Sequence, residues 1–167
     1  DPPTLDEGLA TAYRMLAQTG ARRGFGADLR PAVYHAASQR ALIDAGHASL
    51  WMARHEGRDV AYTLVHHSGD RAVLFEAGEA DRPDDGTAAG SGRIAPNVLL
   101  QWTILRWAAA QGFATYDLSG VDNHTSPGLP KDESHPLWNL YRFKAQWGAR
   151  PVQFVGAWEH APWPMLG

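Results

Sequence analysis

Residues 48–78, ASLWMARHEGRDVAYTLVHHSGDRAVLFEAG, decide the fold. On either side the apolar residues recur at helical spacing, whereas here the period shortens to that of a strand. Three strand-like runs are separated by two turn signals, Glu56-Gly57 and Ser68-Gly69-Asp70. Runs joined by such tight turns predict an antiparallel meander. Upstream, Leu9, Ala12, Tyr13, Leu16 and Ala17 predict a helix over residues 4–23. A second helix is expected from near Pro31, a residue favoured in a first turn, to Gly46. Downstream, residues 78–95 are rich in Gly, Asp and small side chains and read as a mobile loop. PNVLLQWTILRWAAAQG (96–112) is a helix opened by Pro96 and closed by Gly112. FATYDLSG (113–120) reads as a strand and residues 121–134 as a polar loop. A helix within HPLWNLYRFKAQWG (135–148) and a last strand in RPVQFVGAWE (150–159) complete the chain.

The order ααβββαβαβ predicts an α/β (α+β) fold, a mixed, mostly antiparallel sheet flanked by helices on both faces. The β-α-β step through residues 96–119 should be a right-handed crossover between parallel strands. At 167 residues the chain suits one domain, 1–167, able to bury a core. It has no cysteine, which excludes disulfides and thiolate metal sites. No apolar run reaches the length of a membrane span and no signal peptide is read, so the expected location is cytoplasmic. The sequence opens on Asp1 rather than Met, which suggests a processed product or a piece of a longer protein.

A net charge of −3 argues against general affinity for nucleic acid and leaves room for a local basic site. All but two of the fifteen basic residues are arginine, the exceptions being Lys131 and Lys144. On a helical wheel of residues 135–148, Asn139, Arg142 and Gln146 gather on one side. Leu137, Leu140, Tyr141 and Trp147 occupy the other, and Lys144 falls among them. Two readings are open. The lysine stem packs on the apolar face while the amine snorkels past the helix end, or a compact amine is wanted inside, where a guanidinium would not fit.

Tyr116 and Asp117 alternate on their strand, so only one should face a cleft. Asp122, His124, Asp132 and His135 cluster in a loop whose spacings fit no zinc or calcium pattern, and no metal is expected. His66 and His67 are neighbours on a strand and should point to opposite faces. Trp102, Trp107, Trp138 and Trp147 are expected to be packing residues, given their large apolar area.

Three antiparallel strands, a helix, a parallel strand, a helix and a last strand are also the order of the GNAT acyltransferase fold. There two parallel strands splay apart around an acyl donor, here the strands near residues 71–77 and 113–119. APNVLLQWTILRWAAAQGFATYDLSGV, HPLWNLYRFKAQWGARPVQFVGAWE and ARHEGRDVAYTLVHH together resemble the Fem family. Its members are aminoacyl-tRNA-dependent transferases that build the peptidoglycan interpeptide bridge. They usually contain two GNAT-like domains, and the resemblance is to the second, implying a missing N-terminal GNAT-like domain.

The resemblance implies transfer of an amino acid from aminoacyl-tRNA to an amine of a peptidoglycan precursor, either a UDP-MurNAc-peptide or a lipid-linked form. It implies no cofactor and work at the inner face of the membrane. Phe143 and Lys144 match the family's pair lining the channel for the tRNA acceptor end, with Tyr116 nearby. Lys144 would neutralise a phosphate or stabilise the oxyanion of the attacked ester, and Asp117 would hold the attacking ammonium or take its proton. Tyr141, Arg142 and Arg150 complete the expected substrate-binding set, the arginines as phosphate contacts. The alternatives are an acyl-CoA-dependent N-acyltransferase or a non-catalytic binding remnant. GSGRIAPN (90–97) offers a G-x-G turn for a CoA pyrophosphate, but Pro96 removes a donor where the helix begins.

Overall fold

The computed structural model describes residues 3–24, 26, 29–80, 95–121 and 129–154, the side chain of Arg23 excepted. The chain forms two compact units, Asp1–Ser119 and Gly120–Gly167.

In the first unit, α1 (Leu5–Arg23) begins with a capping box. The Thr4 hydroxyl accepts from the Glu7 N–H, while Glu7 accepts from the Thr4 N–H at 2.7 Å. Helix α2 (Ala32–Asp44) follows Pro31, as the sequence predicts. The meander is present as β1 (Ala48–His55), β2 (Arg58–Ser68) and β3 (Arg71–Glu79), each antiparallel to its neighbour. Its first turn works because Glu56 and Gly57 both take positive φ, 48° and 76°. That primed geometry matches the twist of a two-residue hairpin. Helix α3 (Pro96–Ala110) then leads to β4 (Thr115–Asp117), which pairs parallel to β3 and completes the sheet order β1-β2-β3-β4.

Alternation along β2 divides the core between two faces. Tyr62 and Leu64 pack on Ala12, Met15 and Leu16 of α1. Ala61 and Val65 join Ala72 beneath Leu100 and Ile104 of α3. The same alternation separates the adjacent histidines. His66 bonds to Gln39 on α2, and His67 lies against Trp107 and Phe113 on the α3 side.

In the second unit, α4 (Trp138–Ala145) starts later than the sequence suggests. Pro136 disfavours a helical conformation at His135, and the His135 ring accepts the Leu137 N–H at 3.1 Å. The expected last strand is not found among the described residues. Residues 150–154 carry no strand pairing, Pro151 having no N–H to give a ladder, and 155–159 lie outside the described set. So do residues 81–94 of the loop read as mobile, and 122–128 with Asp122 and His124. Trp102 departs from its expected packing role: it is 54% exposed, with the Arg106 guanidinium 6.0 Å from its ring.

Gly78 is fixed by space. A Cβ there would stand 2.7 Å from Tyr62 Cε1 and 3.3 Å from the Met15 carbonyl group. Gly78→Ala should therefore cost about 1–3 kcal/mol by overpacking. A lowered urea midpoint with an unchanged m-value would show it; an unchanged midpoint would mean that the Tyr62 ring yields freely.

Candidate functional site

Strands β3 and β4 stay together for three residue pairs, Arg71 with Thr115, Ala72 with Tyr116 and Val73 with Asp117. Beyond Val73, β3 continues to Glu79 while the other chain turns away. Ser119 makes that turn with a φ of 64°, an uncommon conformation for a residue with a side chain. It is held there by its N–H, which donates to Asp117 Oδ1 at 2.7 Å, and by its hydroxyl on the Leu74 carbonyl. Arg71 Nη2 donates to the other Asp117 oxygen at 3.2 Å. Asp117 thus braces the point where the parallel strands part. Tyr116 points to the opposite face, packs near Ile104 and donates its hydroxyl to Gln101 at 3.0 Å. Burial pushes the Tyr116 phenol above its usual range.

Just past the parting, β3 carries a bulge. Leu64 opposes Glu76 while Val65 opposes Leu74, which leaves Phe75 as the extra residue. A bulge of this kind sends two consecutive side chains to one face, and Phe75 and Glu76 both reach the α2 side. Glu76 Oε1 lies 2.8 Å from His35 Nε2 and accepts the Tyr62 hydroxyl at 3.2 Å. A carboxylate has no hydrogen to give, so His35 Nε2 carries the proton in that pair. His35 Nδ1 is buried and has no hydrogen-bond partner among the described residues. One helical turn along α2, Gln39 Oε1 accepts from His66 Nε2 at 2.8 Å, and the Phe75 ring lies flat on His66. Burial, reinforced by the Glu76 charge, raises the Tyr62 phenol far above its usual range.

None of His35, Gln39, Tyr62, Phe75 or Glu76 emerges as a site residue from the sequence. Two signals were present: polar residues four apart on the inner face of α2, and the run Leu74-Phe75-Glu76, which breaks strict alternation.

The N-terminus of α3 is poor in anion donors. Pro96 has no N–H, and those of Val98 and Leu99 both donate to the Ala95 carbonyl, at 3.0 and 3.2 Å. A carboxylate already stands there, Glu79 Oε1, accepting from Asn97 Nδ2 at 2.7 Å.

In the second unit, Lys144 is 8% exposed and donates to the Gly120 carbonyl at 2.6 Å. The amine therefore turns inward rather than past the helix end. Tyr141 is half-buried beside Trp138, and Arg142 and Arg150 are exposed. Asn139, Arg142, Phe143, Ala145 and Gln146 line a shallow depression of about 400 Å³ along α4. Phe143 borders it, whereas Lys144 turns to the buried side of α4.

Residues 3–125 match the family model described as Acetyltransferase (GNAT) domain. The chain belongs to this family. It is 32% identical to the lipid II:glycine glycyltransferase of Staphylococcus aureus over 65 residues, 39% of this chain. The same enzyme from strains COL and MRSA252 matches equally. The matched stretch spans only 14% of the glycyltransferase's length. A crystal structure of FemX is similar at a TM-score of 0.39 and 21% identity, over 86% of this GNAT chain and 32% of FemX. The sequence match to the glycyltransferase agrees with the Fem-like resemblance of the sequence. Among the described residues, no helix is long and apolar enough to cross a membrane.

Burial lowers the affinity of both His66 and His67 for protons below the ordinary 6.5, with the His47 charge adding to the effect at His67. Between the folded and unfolded values the unfolded chain binds more protons, so stability is full above pH 6.5 and falls on acidification. The ring Cε1–H signals of both histidines should titrate below pH 6.5 by NMR. Midpoints at or above that value would contradict the effect ascribed to their partial burial.

Proposed function

We propose that the chain is the C-terminal GNAT-like half of a two-domain aminoacyltransferase. It moves an amino acid from aminoacyl-tRNA to an amine of a peptidoglycan precursor, in the cytoplasm at the membrane's inner face. The observation that carries the choice of donor is the start of α3. A CoA pyrophosphate needs several free N–H groups at a helix N-terminus. Here one is absent, two are engaged on Ala95, and Glu79 places a negative charge beside Asn97. An aminoacyl ester makes no such demand. The similarity to a lipid II:glycine glycyltransferase supports the same donor class.

In the reaction the acceptor ammonium first gives up a proton, the free amine attacks the ester carbonyl carbon, and the carbonyl electrons move onto oxygen. The intermediate then collapses as the ester C–O bond breaks, and the ribose oxygen leaves as a hydroxyl with the proton shed by the attacking nitrogen. The ester supplies the driving force, so the protein's work is positioning and charge stabilisation. Lys144 supplies the positive charge from a buried site, where it is poorly screened. Its ammonium donates to the Gly120 carbonyl, which fixes where the charge stands. Asp117 accepts from Arg71 and Ser119 and has lone pairs left for the acceptor's ammonium. Phe143 and Tyr141 serve the acceptor end and the exposed Arg142 and Arg150 meet donor phosphates, while Tyr116, bonded to Gln101 on the other face of the sheet, braces β4.

The test is aminoacyl transfer from charged tRNA to a muropeptide acceptor. Lys144→Met keeps the side-chain volume and should lower kcat by about 10²–10³-fold, the range for removing one oxyanion-stabilising donor. An unaltered melting curve would exclude misfolding. Equal rates would remove Lys144 from the mechanism, and submicromolar binding of acetyl-CoA would overturn the choice of donor.

A further inference from the structure

We infer that the outer face of the Phe75 ring, stacked on His66, is a platform for the unpaired base at the 3′ end of an RNA donor; this rests on the aminoacyl-tRNA reading above. Phe75 is 48% exposed, although it lies in the third strand of a four-stranded sheet. Its ring centroid is 3.9 Å from that of His66 and the planes differ by 12°, so the two rings form one flat step. The step stands beside the place where β3 loses its parallel partner after Val73.

The surroundings of this ring are unusually fixed for a surface residue. His35 and Gln39, both more than nine-tenths buried, reach from α2 to the two residues that flank the ring. His35 bonds to Glu76, the neighbour of Phe75 in the chain, and Gln39 bonds to His66, its neighbour in the stack. Buried polar groups are costly unless satisfied, and these hold the bulge and the histidine ring in one geometry. A rigid exposed ring on a polar bed is one ring wide. That suits a single flat π-system better than a protein partner, which needs a broad apolar patch. RNA termini present unstacked bases to aromatic side chains in this way. Stacking also needs no basic surface, in keeping with the net charge of −3.

The probes are a short single-stranded RNA ending in CCA and the same RNA with an abasic terminal nucleotide. Binding is followed through the His66 ring-proton shifts. The wild-type chain should bind the base-bearing RNA roughly 5- to 100-fold more tightly, the span for losing one stacked base. Phe75→Leu, which keeps apolar bulk without a π-face, should abolish the preference, and Phe75→Trp should retain it. Equal affinity for both probes, no binding of the base-bearing RNA, or a preference that survives Phe75→Leu would overturn the platform. Aminoacyl transfer measured on the same preparations separates the two ideas. Transfer without a terminal-base preference removes the platform alone, whereas the preference without transfer keeps the platform and removes the proposed reaction.

Discussion

Strand β3 has two edges to satisfy and a parallel partner for only part of its length, and much of the first unit follows from that constraint. Backbone N–H and C=O groups inside a fold are almost always paired. On the β2 side the pairing runs from Arg71 to Glu79, interrupted once at Phe75. On the β4 side it ends at Val73, where the Ser119 hydroxyl takes the Leu74 carbonyl in place of a further strand residue. The sheet opens there because Ser119 adopts a left-handed conformation that Asp117 stabilises through its N–H. The bulge then increases the local twist of β3 and carries it away from the line of β4.

The opening is framed by polar groups whose energetics differ from those of the surface ion pairs. Arg40 bridges Asp6 and Asp44 in the open, where solvent screens the charges and each pair contributes little. His35 and Glu76 are mostly buried, so their bond matters chiefly through what its loss would leave behind. Among the described residues, a carboxylate in that position without His35 would keep the Tyr62 hydroxyl alone of the two bonds that hold it. Interactions with that asymmetry specify a single arrangement even where their net contribution is modest. They account for an exposed ring, Phe75, that is as well positioned as a core residue.

Much of this architecture was legible in the sequence because it is written in local chemistry. Thr4 and Glu7, Pro31, Glu56-Gly57 and Gly69 act within a few residues of themselves, so the helix starts and hairpins lie close to where the pattern puts them. Lys144 was conspicuous for a second reason, since in a chain that otherwise prefers arginine a lysine among apolar neighbours stands out, but the pattern left open whether its amine turns inward or past the helix end. The bulge was not legible. Leu74-Phe75-Glu76 reads equally well as an unbroken strand, and only pairing with Leu64 and Val65 shows the extra residue. His35 and Glu76 are 41 positions apart, beyond the reach of any local rule. Trp102 misled because a large apolar area predicts packing on average and says nothing of which side of α3 the residue takes.

The start of α3 gathers several small features that bear on the proposed choice of donor. A helix N-terminus carries a partial positive charge and attracts an anion. In this chain the anion is Glu79, a side chain of the preceding strand, tied to Asn97. Removing its charge would not recreate a phosphate cradle, since Pro96 would still lack an N–H and the amides of Val98 and Leu99 would still serve Ala95. Proline, carboxylate and engaged amides act in the same direction. A donor held through its pyrophosphate is disfavoured by all three, while a donor held through a flat base and a carbonyl oxygen meets none of them.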